Sequence, residues 1–257
     1  MESEWTEILN LAFRWVHVVA GILWIGHLWF FNFVNSQVAK TYDDDSKKKV
    51  IPELMPRALF WFRFGAVITW VTGFLLLGLV YYGGGITVYP EQSLGLGIAL
   101  GIGSLIVAVP IYDLLWKALA KNEVVGTILS FLLLAGVTLG LHAVMSGRAL
   151  FIHIGAIFGT IMIQNVWARI WPNQRKLIEA AKSGTPPPEG TAAMAALRSK
   201  HNTYLSVPLL FFMISNHYPT VYGSDLNWLY ALLFVALGWL VTKRLYSIST
   251  MPATVKY

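Results

Sequence analysis

Six histidines stand out as groups able to do chemistry in this chain: His17, His27, His142, His153, His201 and His217, all in or beside long apolar runs. Ionisable groups at membrane depth are costly and mark function more often than soluble ones do. The same runs are nearly free of carboxylates, with Asp113 the main exception. Proton pumps and ion carriers use acidic relays in such places, and no inverted repeat is evident, so a carrier is the weaker reading. Any one of these imidazoles is accounted for equally well by a hydrogen bond between helices. Taken together, abundant neutral imidazole and scarce acid suit ligation of haem iron. The chain has no cysteine. That rules out disulfides, cysteinyl iron–sulfur ligation and CxxCH haem attachment within this sequence.

Helical rise of about 1.5 Å per residue gives depths for these groups. His17 stands roughly 13 Å into its run, and His153 roughly 8 Å past Arg148. His142 and His217 close their runs at the same outer side, whereas His27 and His201 fall toward the other. The expected haem site therefore takes His17, His153, His217 and His142 as cofactor-binding residues, with His17 and His153 as axial ligands to the iron; His201 joins the expected set only through its place in one of the motifs quoted below. Met145, Met162 and Met213 are read as packing residues. Arg14 lies one helical turn outward of His17, and Arg148 precedes His153 on its run. They either snorkel to headgroups or pair with haem propionates; their flanking of the two best ligands favours pairing.

The elements that position these groups are apolar helices. The chain has 257 residues, 56% hydrophobic and 12% charged, with mean hydropathy +0.59; an ordinary soluble domain carries about 25% charge. Apolar runs over residues 8–35, 59–82, 93–115, 124–144, 148–171, 203–217 and 226–246 predict about seven transmembrane helices. They use the whole chain, so one transmembrane helical domain spanning 1–257 is expected. Residues 172–200, with Pro186, Pro187 and Pro188, form the longest break and are expected to be a cytoplasmic loop with a surface helix. Gly97 and Gly101 form a small-xxx-small pair that permits close helix approach. Pro208 falls in the first turns of the short sixth run, where a missing N–H is tolerated.

Orientation follows from Lys and Arg. Seventeen fall on one side of a seven-span arrangement and two, Arg14 and Arg148, on the other. The N-terminus is therefore outside and the C-terminus cytoplasmic. The net charge of +6 sets topology, and no nucleic-acid partner is expected. Glu2, Glu4 and Glu7 precede the first run, the reverse of a signal-peptide n-region.

Four segments carry a family resemblance. SGRALFIHIGAIFGTIMIQNVWARIWPNQRK (146–176) and KHNTYLSVPLLFFMISNHYP (200–219) resemble the two principal motifs of the membrane domain of PuuD-type urate hydroxylases, the urate oxidase N-terminal membrane domain family. RWVHVVAGILWIG (14–26) and WVTGFLLLGLVYYGG (70–84) are similar to its first two spans. His17, His153, His201 and His217 fall on family-motif histidines; His27 and His142 do not match. The resemblance implies a multi-pass protein of the bacterial inner membrane carrying haem b, one or two. It would pass electrons to an outer-face acceptor such as cytochrome c or another periplasmic carrier, with urate or a similar small molecule as the substrate oxidised. Family members resemble fusions to a c-type cytochrome domain, and this sequence contains no CxxCH, so the acceptor is expected to be a separate partner. The other reading is a non-catalytic membrane anchor or haem-bearing subunit of a larger respiratory or redox complex, with other membrane subunits as partners.

Overall fold

The computed structural model describes residues 4–252. Glu2 and Lys256, which enter the charge argument, lie outside the described residues. Eight long helices follow one another: α1 (Glu4–Trp29), α2 (Asp44–Leu76), α3 (Leu94–Ala118), α4 (Glu123–His142), α5 (Gly147–Gln164), α6 (Trp171–Ser183), α7 (Thr191–Ser215) and α8 (Asn227–Ser249). Wider π-helical turns extend α1 over Phe30–Asn35 and α2 over Leu77–Tyr82, and a third, Asn165–Ile170, joins α5 to α6. No strand forms among the described residues. Six helical segments are long and apolar enough to cross a bilayer: Glu4–Thr41, Asp44–Tyr82, Leu94–Ala118, Glu123–His142, Gly147–Ser183 and Asn227–Ser249. The chain is an all-α, multi-pass membrane protein. Leu11, Trp15, Ile22, Ile106, Val124, Leu132 and Leu240 are exposed, as lipid-facing side chains are.

The expected sixth span is the C-terminal part of α7. This helix is not among the six apolar segments because its N-terminal half carries Arg198, Lys200, His201 and Asn202. Residues 172–200 are mostly helical. Only 184–190 are non-helical. Gly184 ends α6 with φ +69, a left-handed conformation that glycine adopts without Cβ strain. Pro208 stands well inside α7 rather than in its first turns. Gly238 on α8 accommodates it, since a Cβ there would lie 2.9 Å from Pro208 Cδ.

The chain forms two compact units. Unit one comprises residues 4–13, 73–161 and 208–238. Its core is aromatic: Phe211 stacks on Phe234 at 3.9 Å, and Phe151 and Phe158 meet Phe212 edge-on. The α2–α3 loop is tied to the α4–α5 link, with Ser146 donating from its backbone N–H to Thr87 O and from Oγ to Ile86 O. Those bonds set where α5 begins.

Unit two comprises residues 14–72, 162–207 and 239–252. There α1 and α2 approach closely at Gly65, where a Cβ would lie 3.0 Å from Trp24 N and 3.1 Å from Ala20 O. The fully buried Asn202 on α7 receives a bond from Asn165 Nδ2 at 2.9 Å and donates to Met162 O at 3.0 Å. In apolar surroundings such mutual satisfaction keeps polar groups tolerable. Arg63 lies over the Trp171 ring at 3.5 Å, which gives the guanidinium a cation–π partner.

Candidate functional site

His153 belongs to unit one and is fully buried on α5. Its Nδ1 lies 2.7 Å from Ala149 O. A carbonyl only accepts, so Nδ1 carries the proton and donates. In the neutral ring this leaves the lone pair on Nε2. That nitrogen receives the Tyr82 O–H at 2.9 Å. Tyr82 closes the π-helical turn after α2, where the wider coil brings both Tyr81 and Tyr82 against α5; their ring centroids are 6.5 and 5.7 Å from the His153 ring. Tyr81 is fixed in turn by donating to Asn216 Oδ1 at 2.9 Å.

Gly101 on α3 completes this environment. A Cβ there would lie 2.5 Å from His153 Nε2 and 2.6 Å from Tyr82 Oη. Gly97, one turn earlier, faces Val88 instead. The small-xxx-small pair therefore serves two separate close approaches, one of them at the imidazole.

His17 belongs to unit two and is half-buried on α1. Its Nδ1 lies 3.1 Å from Thr72 Oγ1. The Thr72 hydroxyl donates to Ile68 O at 2.6 Å, so its oxygen accepts from the ring. His17 is thus the same tautomer as His153, with Nδ1–H held and Nε2 bearing the lone pair. A second-shell bond of this kind selects which nitrogen can ligate metal.

The other expected residues are distributed as follows. His142 and His217 fall in unit one and His201 in unit two. His142 ends α4, and its Nδ1 is buried with no hydrogen-bond partner among the described residues. His217 is exposed just beyond α7. His201 is half-buried on α7 beside Asn202. Arg148, in the first turn of α5, has its Nε buried without a partner among the described residues. Arg14 stands ten residues into α1, about 15 Å along the helix, and is exposed. His27, not expected as a ligand, donates from Nδ1 to Leu23 O at 2.6 Å.

Tyr82, Thr72 and Gly101 were not anticipated as parts of a site. Only Gly101 had carried a visible signal, the glycine spacing. A second feature, a cavity of about 390 Å³ in unit one, is lined by His142, Tyr89, Gly147, Tyr222, Asp225 and Asn227 among others. Asn227 is 2% exposed; its amide nitrogen donates to Tyr222 O, while its Oδ1 lacks a partner among the described residues.

In each unit the donor chemistry fits haem iron: His153 in unit one and His17 in unit two each have Nδ1–H held by an oxygen and a lone pair on Nε2. At His153 the Nε2 lone pair is now occupied by the Tyr82 hydroxyl, which iron would have to displace. No group of three or more His, Cys, Asp or Glu able to hold a bare metal ion occurs among the described residues. No curated protein and no solved structure matches the chain. Residues 3–51 and 42–251 match the family described as urate oxidase N-terminal, nearly the whole sequence, and the chain belongs to that family.

Proposed function

We propose that this urate-hydroxylase-related membrane protein binds haem b, one or two, in the bacterial inner membrane and passes electrons from urate or a similar small molecule to an outer-face acceptor such as cytochrome c. The observation that carries the reading is the His153 imidazole, whose Nδ1–H is held by Ala149 O and whose Nε2 is left as the ligating atom. His153 in unit one and His17 in unit two would each offer Nε2 to haem iron. Haem, when bound, supplies a one-electron carrier.

The chain's own residues do the rest. Ala149 O and the Thr72 hydroxyl keep each ring in one tautomer. Arg148, and Arg14 at greater depth, offer guanidinium groups to carboxylates such as propionates, where charge-assisted bonds are strong. The small cavity at His142 and Asn227 offers a carbonyl acceptor and an imidazole to a compact, N–H-rich heterocycle. His142 accordingly belongs with the substrate rather than with iron.

The deciding experiment is a reduced-minus-oxidised absorption spectrum of the protein in detergent. A b-type Soret and α band, lost in His153→Ala, is expected. A protein that remains colourless after expression with ample haem and reconstitution overturns the reading.

One observation favours a second reading, a subunit of a larger redox complex. Most of α1 from Glu4 to Val19 is exposed, a surface that helices of neighbouring membrane subunits could cover. Co-purification of the tagged chain with further membrane subunits tests it.

A further inference from the structure

A cavity of about 900 Å³ lies wholly within unit two and includes none of the six histidines. It sits among the π-helical turn after α1, the start of α2, α6, the 184–187 link and the end of α8. The Lys and Arg distribution assigns this end to the cytoplasmic side.

Its chemistry is graded. The walls are apolar, with Leu54, Leu59, Phe62, Ile170, Leu177 and Ala195. Its buried polar groups are paired: Asn32 donates to Ser199 Oγ at 2.8 Å and accepts from the Tyr246 hydroxyl at 3.0 Å. No cavity-lining residue has a buried polar atom without a partner among the described residues. Walls of this kind suit an alkyl chain, which needs no hydrogen-bond partner. Charge is confined to Lys47, Lys48, Lys200 and Asp44. Asp44 is paired with Lys47 at 3.1 Å. Lys48 extends over Gly184, its Nζ 3.6 Å from a Cβ built there. The lining as a whole therefore carries an excess of positive charge.

We propose that the cavity binds one anionic phospholipid from the cytoplasmic leaflet, an acyl chain against the apolar walls and its phosphate at Lys48 and Lys200. Basic pockets between transmembrane helices on the cytoplasmic side recognise acidic headgroups in this way. The volume lies within the usual range of ligand cavities, roughly 300–1,000 Å³. The inference is independent of the haem reading.

The test uses the full chain in nanodiscs of phosphatidylcholine with or without phosphatidylglycerol, reading retained lipid by native mass spectrometry and the unfolding midpoint. Phosphatidylglycerol should be retained in preference to phosphatidylcholine and raise the midpoint. Lys48→Glu with Lys200→Glu should cut that retention about tenfold, a loss of about 1.4 kcal/mol in binding. Lys117→Glu, in the last turn of α3, should leave it unchanged. Should the double variant fail to fold, Ala196→Phe, which fills the cavity from an exposed lining position, should abolish retention with both lysines intact. Equal retention of the two lipids overturns the proposal, as does retention unaffected by either the charge reversal or the filling. Equal stabilisation by inorganic phosphate also overturns it, by making the site one for a free anion.

Discussion

Gly101 stands directly against the Nε2 edge of His153: a methyl group at that glycine would fall 2.5 Å from the nitrogen and 2.6 Å from Tyr82 Oη. It would also fall 2.9 Å from His153 Cδ2. The remainder of the imidazole is fixed, since its Nδ1–H is committed to Ala149 O, so the ring cannot turn aside without losing that bond.

Gly101→Ala should therefore destabilise the protein by about 1–3 kcal/mol, the range for overpacking a closed core, and abolish the haem spectrum. Gly103→Ala is the control, because nothing lies within 4 Å of a Cβ there. Absorption spectra and unfolding midpoints of the two variants decide the matter. Equal behaviour would remove Gly101 from the site.

Tyr82→Phe acts in the opposite direction on ligand binding. Its hydroxyl occupies Nε2, and a neutral hydrogen bond contributes about 0.5–1.5 kcal/mol. Without it, haem titrated into the apo-protein should bind several-fold more tightly while the apo-protein unfolds slightly earlier. Weaker haem binding in the variant would mean that Tyr82 supports the ligand rather than competing with it.

Thr72→Val removes the oxygen that accepts from His17 Nδ1–H. Outer-shell partners of this kind are worth about 10–100-fold in metal affinity. Haem affinity should fall within that range, and the midpoint potential should rise as the imidazole becomes a poorer donor. An unchanged potential in redox titration would show that His17 does not bind iron.

The membrane helices were legible in the sequence because apolarity over twenty residues is a local property. The start of α7 was not, since Arg198, Lys200, His201 and Asn202 lower its hydropathy while its burial is tertiary. Pro208 was misplaced for the same reason: the fact that makes it tolerable, Gly238 on another helix, is distant in sequence. His17 and His153 could be noticed as imidazoles in apolar runs. Their oxygen partners lie at different separations. Ala149 is four residues from His153 and within reach of helical spacing, whereas Thr72 is 55 residues from His17 and Tyr82 is 71 from His153. Only packing brings the last two together.

Asp43 offers a test outside the membrane. Its carboxylate caps α2, accepting the Ser46 backbone N–H at 2.7 Å. The side-chain and backbone bonds from Ser46, with Lys47 nearby, hold it below the usual carboxylate range despite the small opposing effect of desolvation. A depressed folded-state value means the cap's contribution is fully present above the unfolded-state pKa, near 3.9, and is lost as pH falls through the folded value. Asp43→Asn should flatten the acid side of the stability curve without changing the haem spectrum. The check is the unfolding midpoint of both proteins below pH 5.

Asn202→Ala probes the polar pair within unit two. Asn202 is fully buried, and removing its amide takes away both the bond it donates to Met162 O and the acceptor of the Asn165 side-chain nitrogen. An unsatisfied buried polar group costs about 1–3 kcal/mol, although in membranes interhelical bonds between side chains average nearer 0.6. The structure favours the larger figure, because two partners lose their bonds at once and both lie in the closed packing between α5 and α7. Asn202→Ala should therefore lower the unfolding midpoint more than Asn165→Ala, which leaves the Asn202–Met162 bond intact. The reverse order would indicate that Asn165 holds the junction between α5 and α6 through its π-helical turn, with Asn202 secondary to it.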